Sequence, residues 1–114
     1  MLHIALHGLV PLVMAYAFYR CYWKPAVLVQ LATMIVDADH LLADPIYDPG
    51  RCSIGFHPLH TAPAIAVYAL LFAVPLFWMC RTEADDAIST AHIVHWIGLG
   101  LLIHMALDGL DCMV

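Results

Sequence analysis

Four apolar runs separated by short polar segments dominate the pattern of this chain. They cover residues 2–19, 26–43, 62–80 and 93–110, and each contains 18 or 19 residues. An α-helix needs about 20 apolar residues to cross the hydrocarbon layer of a bilayer. Because the connections are short, the pattern predicts an all-α fold, an integral membrane four-helix bundle with up-and-down topology. Residues 1–114 are expected to form a single transmembrane domain.

The composition agrees with a membrane protein and narrows its partners. Hydrophobic residues make up 64% of the chain and charged residues 11%, which is not the balance of a water-soluble domain. The formal net charge is -5 with four Lys and Arg residues, so no polybasic surface for nucleic acid or anionic lipid is expected. The first run lacks a basic leading segment and is as long as its neighbours, so it is expected to stay in the mature fold.

Ionisable side chains lie near one end of each apolar run. Such groups cost roughly 2.5 to 3.5 kcal/mol each inside a bilayer helix, and they usually line a cavity, pair with one another or hold an ion. In an up-and-down bundle, the start of the first and third runs and the end of the second and fourth lie on one side of the membrane. Those ends carry His3, His7, Asp37, Asp39, His40, His57, His60, His104 and Asp108.

Helical spacing places most of these residues in pairs. Residues three or four positions apart share one face of a helix. The pairs are His3/His7, Asp37/His40 and His104/Asp108. In a regular helix Asp39 would point away from Asp37 and His40, which favours a supporting role for it. His57 and His60 reach the same side from the junction before the third run.

Imidazole and carboxylate groups in this number are enough to hold more than one metal ion. A catalytic zinc takes about three protein ligands and leaves one position for water. Two ions about 3.5 to 4 Å apart would activate a water for attack on an ester or phosphoester. Asp37 or Asp39, if not bound to metal, would then act as the general base. The predicted cofactor is a divalent metal, zinc first and manganese or iron as alternatives, with one or two ions bound.

The same residues also have structural interpretations, which the sequence leaves open. His3 and His7 would be hydrated at the membrane interface, and Asp37 to His40 would form a buried ion-paired network without metal. His104 and Asp108 would form a structural hydrogen bond or support a ligand. His92 and His95 are expected to pack or to bond backbone carbonyls rather than bind metal. Asp44 and Asp48 are expected to be turn formers.

The basic residues predict the orientation of the bundle. Arg20, Lys24 and Arg81 lie on one side, and Arg51 lies on the other. The positive-inside rule therefore places both termini and the polar cluster on the non-cytoplasmic face. The acidic stretch between the last two runs is expected to be a solvated loop on the opposite side.

The four cysteines divide between the two sides. Cys21 and Cys80 lie on the predicted cytoplasmic side and are expected to be free. Cys52 and Cys112 lie on the side of the cluster, where an oxidising compartment would permit a disulfide between them. Metal ligation by one of these thiolates, and free thiols, are the alternatives.

Three stretches carry a resemblance to known families: DADHLLADPIYDP, RCSIGFHPLH and IHMALDGLDC. Over almost the whole chain the sequence resembles a small family of uncharacterised bacterial membrane proteins. It more distantly resembles the predicted membrane-bound metal-dependent hydrolases of the bacterial inner membrane. That resemblance rests on the early helical His, the Asp-x-Asp-His stretch, the His pair before a helix and the late His with Asp. It implies a metal site that includes Asp39 as a ligand.

Together these observations predict a membrane-embedded metal-dependent hydrolase acting on a lipid or another amphiphilic ester or phosphoester. A lipid-like substrate is expected because its head-group bond lies at the depth of the helix ends. One alternative is a metal-binding or transport protein, which would need a homodimer to enclose a pore. Another is an accessory membrane protein whose His/Asp network specifies helix register.

Overall fold

The computed structural model describes residues 2–81 and 87–113. Its four α-helices are α1 (Leu2–Phe18), α2 (Trp23–Ala32), α3 (Ala62–Arg81) and α4 (Thr90–Met113). The remaining helical segments are 3-10 helices, at Arg20–Tyr22, Thr33–Leu42 and Pro58–His60. No strand occurs in the residues described, and the predicted all-α class is confirmed. The predicted solvated loop contains Glu83, Asp85 and Asp86, which lie outside the described residues.

Three helical segments are long and apolar enough to cross a membrane, judged by length and composition. They are Arg20–Leu42, Ala62–Arg81 and Thr90–Met113. The remaining apolar helix, Leu2–Phe18, is shorter. Large apolar side chains such as Leu28, Ile35 and Phe77 are more than half exposed on the outer surface. An apolar outer surface of this kind suits contact with lipid rather than with water.

Helix α4 lies at the centre and contacts each of the other three helices. Gly98 and Gly100 allow two neighbouring helices to approach α4 closely, because neither glycine has a side chain. Since the two residues are two positions apart, they face directions about 200° apart around the helix. A Cβ atom at Gly98 would overlap the backbone of Phe72 in α3. A Cβ atom at Gly100 would lie 2.9 Å from the Cα atom of Gln30 in α2. The two glycines therefore let α3 and α2 pack against opposite sides of α4.

The second apolar run is not the regular α-helix that the sequence predicts. The chain changes from α2 to a 3-10 helix at Thr33 and keeps that form for 10 residues, which is long for this conformation. With three residues per turn, Thr33, Val36 and Asp39 fall on one stripe, and all three are buried. Asp39 therefore points into the protein, on a different stripe of the helix from Asp37 and His40. The other helices begin and end within three residues of their predicted limits.

A buried histidine joins three helices away from the predicted ligands. His95 is fully buried, and its Nδ1 atom lies 2.8 Å from the carbonyl oxygen of Phe72 in α3. Its Nε2 atom contacts the hydroxyl group of Tyr19, the residue that follows α1. The ring therefore donates from Nδ1 to the carbonyl and accepts at Nε2 from the tyrosine. This agrees with the structural role predicted for His95.

Candidate functional site

The nine predicted ligands meet where one end of each apolar segment comes together. They belong to the start of α1, the 3-10 helix Thr33–Leu42, the segment that precedes α3, and the end of α4. Three groups have ligand atoms within 4.8 Å of one another, close enough to hold an ion. These groups are Asp37/His40/His60/Asp108, His3/His7/Asp108 and Asp39/His40/His57. The ninth residue, His104, contacts both Asp37 and Asp108.

Asp108 connects two of these groups through its two carboxylate oxygens. Its Oδ1 atom lies 3.2 Å from Nε2 of His3 and 3.3 Å from Nε2 of His7. Its Oδ2 atom lies 3.1 Å from Nε2 of His60 and 3.5 Å from Nε2 of His104. The Asp108 side chain is only 5% exposed. Asp108 therefore offers one oxygen to each of two sets of imidazoles, and a metal ion in either set would have a carboxylate oxygen within reach.

Asp37 presents one oxygen to three imidazole rings. Its Oδ1 atom lies 2.9 Å from Nε2 of His104, 3.4 Å from Nε2 of His40 and 3.5 Å from Nε2 of His60. Its side chain is 40% exposed, unlike that of Asp108. Asp37 therefore connects the buried ligands to the part of the cluster that solvent reaches.

Several buried atoms of the cluster make no hydrogen bond. Their positions show whether these residues fit a metal ion. Among these atoms are Nε2 of His7, Nε2 of His40, Nε2 of His60, Oδ1 of Asp39 and Oδ2 of Asp108. An unsatisfied buried polar atom costs about 1 to 3 kcal/mol. The ring nitrogens face the carboxylate oxygens across gaps of 3.1 to 3.9 Å. A cation between such atoms would satisfy both kinds, so the donor set fits a divalent metal.

Hydrogen bonds from the other ring nitrogen fix the orientation of two of the imidazoles. His60 Nδ1 lies 3.2 Å from Oδ2 of Asp39, and the Leu59 N–H donates to the same oxygen at 2.8 Å. His7 Nδ1 lies 2.9 Å from the backbone oxygen of His3. With Nδ1 as the donor, each ring is left with Nε2 free for a metal. Asp39 is thus the carboxylate that orients His60.

The carboxylates around His60 favour its charged form. Burial lowers the pKa of His60, but the neighbouring carboxylates of Asp108, Asp37 and Asp39 outweigh it and raise this pKa to about 10. His60 therefore carries a proton at neutral pH when no metal is bound. A metal ion that binds His60 must displace that proton.

His40 and His57 form a stacked pair at the edge of the cluster. Their ring centroids are 3.8 Å apart and their planes differ by 18°. Burial and the neighbouring His40 ring lower the pKa of His57, which favours the neutral imidazole that binds metals. Together with Asp39, the two rings make the third group of potential ligands.

A polar cavity of about 410 Å³ adjoins the cluster. On one side it is lined by the predicted ligands His3, Asp37, His40 and Asp108. On the other side it is lined by residues of the loop 43–57 and by the end of α4, namely Pro49, Gly50, Arg51, Cys52, Ser53, Asp111 and Cys112. The cavity is large enough for the polar part of a substrate beside the ligands.

A disulfide between Cys52 and Cys112 holds the loop over this cavity. Their Cα atoms are 5.1 Å apart, and the bond joins residues separated by 60 positions. This is the pairing expected from the sequence. Cys21 and Cys80 are free and exposed.

Two residues of the cavity were not among the ligands predicted from the sequence. Oδ1 of Asp111 lies 3.7 Å from Nδ1 of His3, and Arg51 lines the wall formed by the loop. The sequence spacing does indicate Asp111, because it follows Asp108 by three positions and lies on the same helical face. Arg51 could have been found from its position next to Cys52, because the disulfide of Cys52 brings the loop to α4.

Comparison with known proteins identifies the family of this chain but not an activity. No curated protein and no solved structure gives a significant match. The resemblance to membrane hydrolases stays a prediction from the sequence motifs. A family model described as a family of unknown function (DUF6122) matches residues 1–114, which is the whole chain. The chain therefore belongs to the family of unknown function DUF6122.

Proposed function

We propose that this protein is a membrane-embedded metal-dependent hydrolase that cleaves a lipid-like ester or phosphoester. The observation that carries the proposal is the position of Asp108, whose two oxygens face separate sets of buried imidazoles. One divalent ion would be held by Asp108 with His3 and His7. A second would be held by Asp108 with His60 and His40, which share one group of ligand atoms within 4.8 Å of one another. Zinc suits these ligands best, with manganese or iron as alternatives.

The remaining ligands would complete and support these positions. Asp37 faces the imidazoles of the second position and also lines the cavity. The stacked rings of His40 and His57 lie beside it, and His40 Nε2 has no hydrogen-bond partner of its own. Asp39 would act as a positioning residue, because it is buried and already bonded to Leu59 and His60.

Bound divalent ions supply a water whose pKa is lowered toward 7, and they stabilise negative charge on the attacked group. Asp37 is placed to accept a proton from that water, because its carboxylate is partly exposed on the cavity wall. The water oxygen forms a bond to the carbonyl carbon or to phosphorus, and the bond from that atom to the ester oxygen breaks. The proton then passes to the departing alcohol, so one water is consumed for each ester cleaved.

The proposed location is a bacterial inner membrane, with an up-and-down bundle and the cluster on the non-cytoplasmic face. Arg20, Lys24 and Arg81 lie at the other ends of the apolar segments, in agreement with the positive-inside rule. The disulfide between Cys52 and Cys112 supports an oxidising compartment on the cluster's side. A lipid head group at this depth would lie beside the cavity.

A second candidate function is that of an accessory membrane protein in which the cluster is a structural ion-paired network. The observation that favours it is the position of His60 Nε2, 3.1 Å from Asp108 and 3.5 Å from Asp37, close enough for direct ion pairs. In that case the cluster would specify how the helices pack without holding a metal.

The experiment that separates the two functions measures hydrolysis of a chromogenic phosphodiester by detergent-purified protein with zinc or manganese. The wild-type protein is expected to turn over, and Asp108→Asn is expected to reduce the rate by about a hundredfold or more. The matched control is Asp44→Asn, an exposed carboxylate of the loop, which is expected to keep the activity. Equal rates for Asp108→Asn and the wild type would contradict the hydrolase.

A further inference from the structure

We propose that Arg51 binds an anionic phosphate group of the substrate, so that the site acts on phosphoesters rather than on neutral esters. This inference rests on the proposed function and specifies the substrate class of the same site. It is carried by the position of Arg51, by the charge balance of the cavity and by the disulfide beside it.

Two contacts hold the guanidinium group of Arg51 in place. Its Nη1 atom donates to the backbone oxygen of Pro45 at 2.8 Å. Its central carbon lies 4.5 Å from the centroid of the Phe56 ring. Only the bond to Pro45 uses an N–H donor, and it uses one of the five that the guanidinium group has. The planar fork is thereby oriented, and donors remain for an anion in the cavity.

Arg51 forms no salt bridge with any carboxylate in the described parts of the chain, residues 2–81 and 87–113. It nevertheless lines the same cavity as Asp37, Asp108 and Asp111. A half-buried cation beside three carboxylates would normally pair with one of them. Its orientation toward a backbone oxygen and an aromatic ring instead keeps it available to another anion.

The charge balance of the cavity supports the same conclusion. Four carboxylates belong to the cluster and the cavity wall, namely Asp37, Asp39, Asp108 and Asp111. Their four negative charges would balance the four positive charges of two divalent ions. The charge of Arg51 would then remain unbalanced in the cavity. A phosphate group between the ions and Arg51 would contact positive charge on both sides. A guanidinium group also matches two phosphate oxygens in a bidentate contact, whereas a neutral ester offers it no charge.

The disulfide ties the loop residue beside Arg51 to the helix that carries Asp108. Cys52 follows Arg51 directly and is bonded to Cys112. Cys112 lies four residues after Asp108, which is about one turn along the same face of α4. The covalent path from Arg51 to Asp108 is therefore short, and the disulfide ties the backbone beside Arg51 to the end of α4.

The test is calorimetric titration of the zinc-loaded, detergent-purified protein with inorganic phosphate. Arg51→Gln is expected to weaken phosphate binding about ten- to a hundredfold with unchanged metal content, since the lost bonds are charge-assisted. Arg51→Lys is expected to show a smaller loss, because lysine keeps the charge but not the fork. The matched control is Arg81→Gln, since Arg81 also lies over an aromatic ring, Phe77, but in another part of the chain. It should bind phosphate like the wild type.

A second readout compares a chromogenic phosphodiester with a chromogenic carboxylic ester. Arg51→Gln should lower kcat/KM for the phosphodiester by a similar factor, so that the preference for the phosphodiester over the neutral ester falls. Equal phosphate affinity in metal-loaded wild type and Arg51→Gln would overturn the role of Arg51 while leaving the metal site intact. Failure of the wild-type protein to bind any metal would overturn the hydrolase and the role of Arg51 together.

The same titration distinguishes two sources of the phosphate group. A short-chain phosphatidate in micelles that binds at least tenfold more tightly than glycerol phosphate would indicate a membrane lipid. Equal affinities would indicate a water-soluble phosphoester. Whichever source applies, Arg51→Gln is expected to bind the phosphate compound more weakly than the wild type does. Unchanged affinity of Arg51→Gln for both compounds would contradict the proposal.

Discussion

The Oδ2 atom of Asp108 lies 3.1 Å from Nε2 of His60, so the end of α4 meets the segment that precedes α3. Both side chains are buried, and neither of these atoms has a hydrogen-bond partner. The other nitrogen of His60 is held by Asp39, and the other oxygen of Asp108 faces His3 and His7. The contact therefore lies between two sets of oriented ligands, where an ion would satisfy both atoms.

Asp39→Asn is expected to weaken zinc binding about ten- to a hundredfold. The substitution leaves the acceptor oxygen for Leu59 but removes the charge that orients His60. Chelator-competed zinc titration of the purified protein measures the change. Asp44→Asn, a carboxylate of the exposed loop, is the control and should bind zinc normally. Unchanged affinity in Asp39→Asn would show that His60 does not need this carboxylate to bind a metal.

Zinc affinity is expected to rise with pH, because a metal ion must displace the proton of His60. The pKa of His60 is raised to about 10 by its three carboxylate neighbours against the effect of burial. One proton released per ion would give about a tenfold gain in affinity per pH unit below that pKa. Chelator competition at pH 6.5 and 7.5 would measure it. An affinity that does not change over this interval would contradict the protonation of His60.

The metal-free protein is expected to lose stability as the pH rises. His60 has a folded pKa of about 10, above its ordinary value of 6.5. A raised pKa stabilises the fold fully below pH 6.5, and the contribution is lost progressively as the pH approaches 10. Thermal unfolding of chelator-treated protein at several pH values would show the loss. His60→Gln, which cannot titrate, should lack this dependence, and an equal decline in both proteins would assign it to other groups.

Gly98→Ala is expected to destabilise the fold by about 1 to 3 kcal/mol. The new Cβ would overlap the backbone of Phe72 and push α3 away from α4. The matched control is Gly109→Ala in the same helix, where no atom lies within 4 Å of the added Cβ. That control should gain up to about 1 kcal/mol from its better helix propensity. Denaturant unfolding in detergent measures both, and equal stability of the two variants would contradict the packing of α3 on α4.

The number of reactive thiols is expected to change on reduction. Cys21 and Cys80 are exposed and free, whereas Cys52 and Cys112 are bonded to each other. Alkylation of the denatured protein followed by mass spectrometry should therefore label two cysteines before reduction and four afterwards. Four labels without reduction would show that the loop is not tied to α4 by a covalent bond.

Much of the cluster could be predicted because long-range proximity followed from a simple rule. Apolar runs of membrane-spanning length alternate in direction across the bilayer. His7, near the N-terminus, and Asp108, near the C-terminus, were therefore expected on the same side of the membrane. The structure places their side-chain atoms 3.3 Å apart. Only lengths and positions of apolar runs were needed for that prediction, and these are read directly from the sequence.

The position of Asp39 could not be predicted, because hydrophobic runs do not distinguish an α-helix from a 3-10 helix. A turn of three residues aligns Asp39 with Thr33 and Val36 on one buried stripe, whereas a turn of 3.6 residues would spread the same three positions over about 120° of the helix surface. The contribution of Arg51 depends on the path of a loop. That path is set by the disulfide and by contacts that local sequence patterns do not determine.

The most direct test of the metal site is elemental analysis of detergent-purified, untagged protein by plasma mass spectrometry. The wild-type protein should contain about two equivalents of zinc, manganese or iron per chain. His60→Ala should lose at least one equivalent, and Asp44→Asn should lose none. The same metal content in His60→Ala and the wild type, or no metal in the wild type after reconstitution with zinc, manganese and iron, would contradict the metal site.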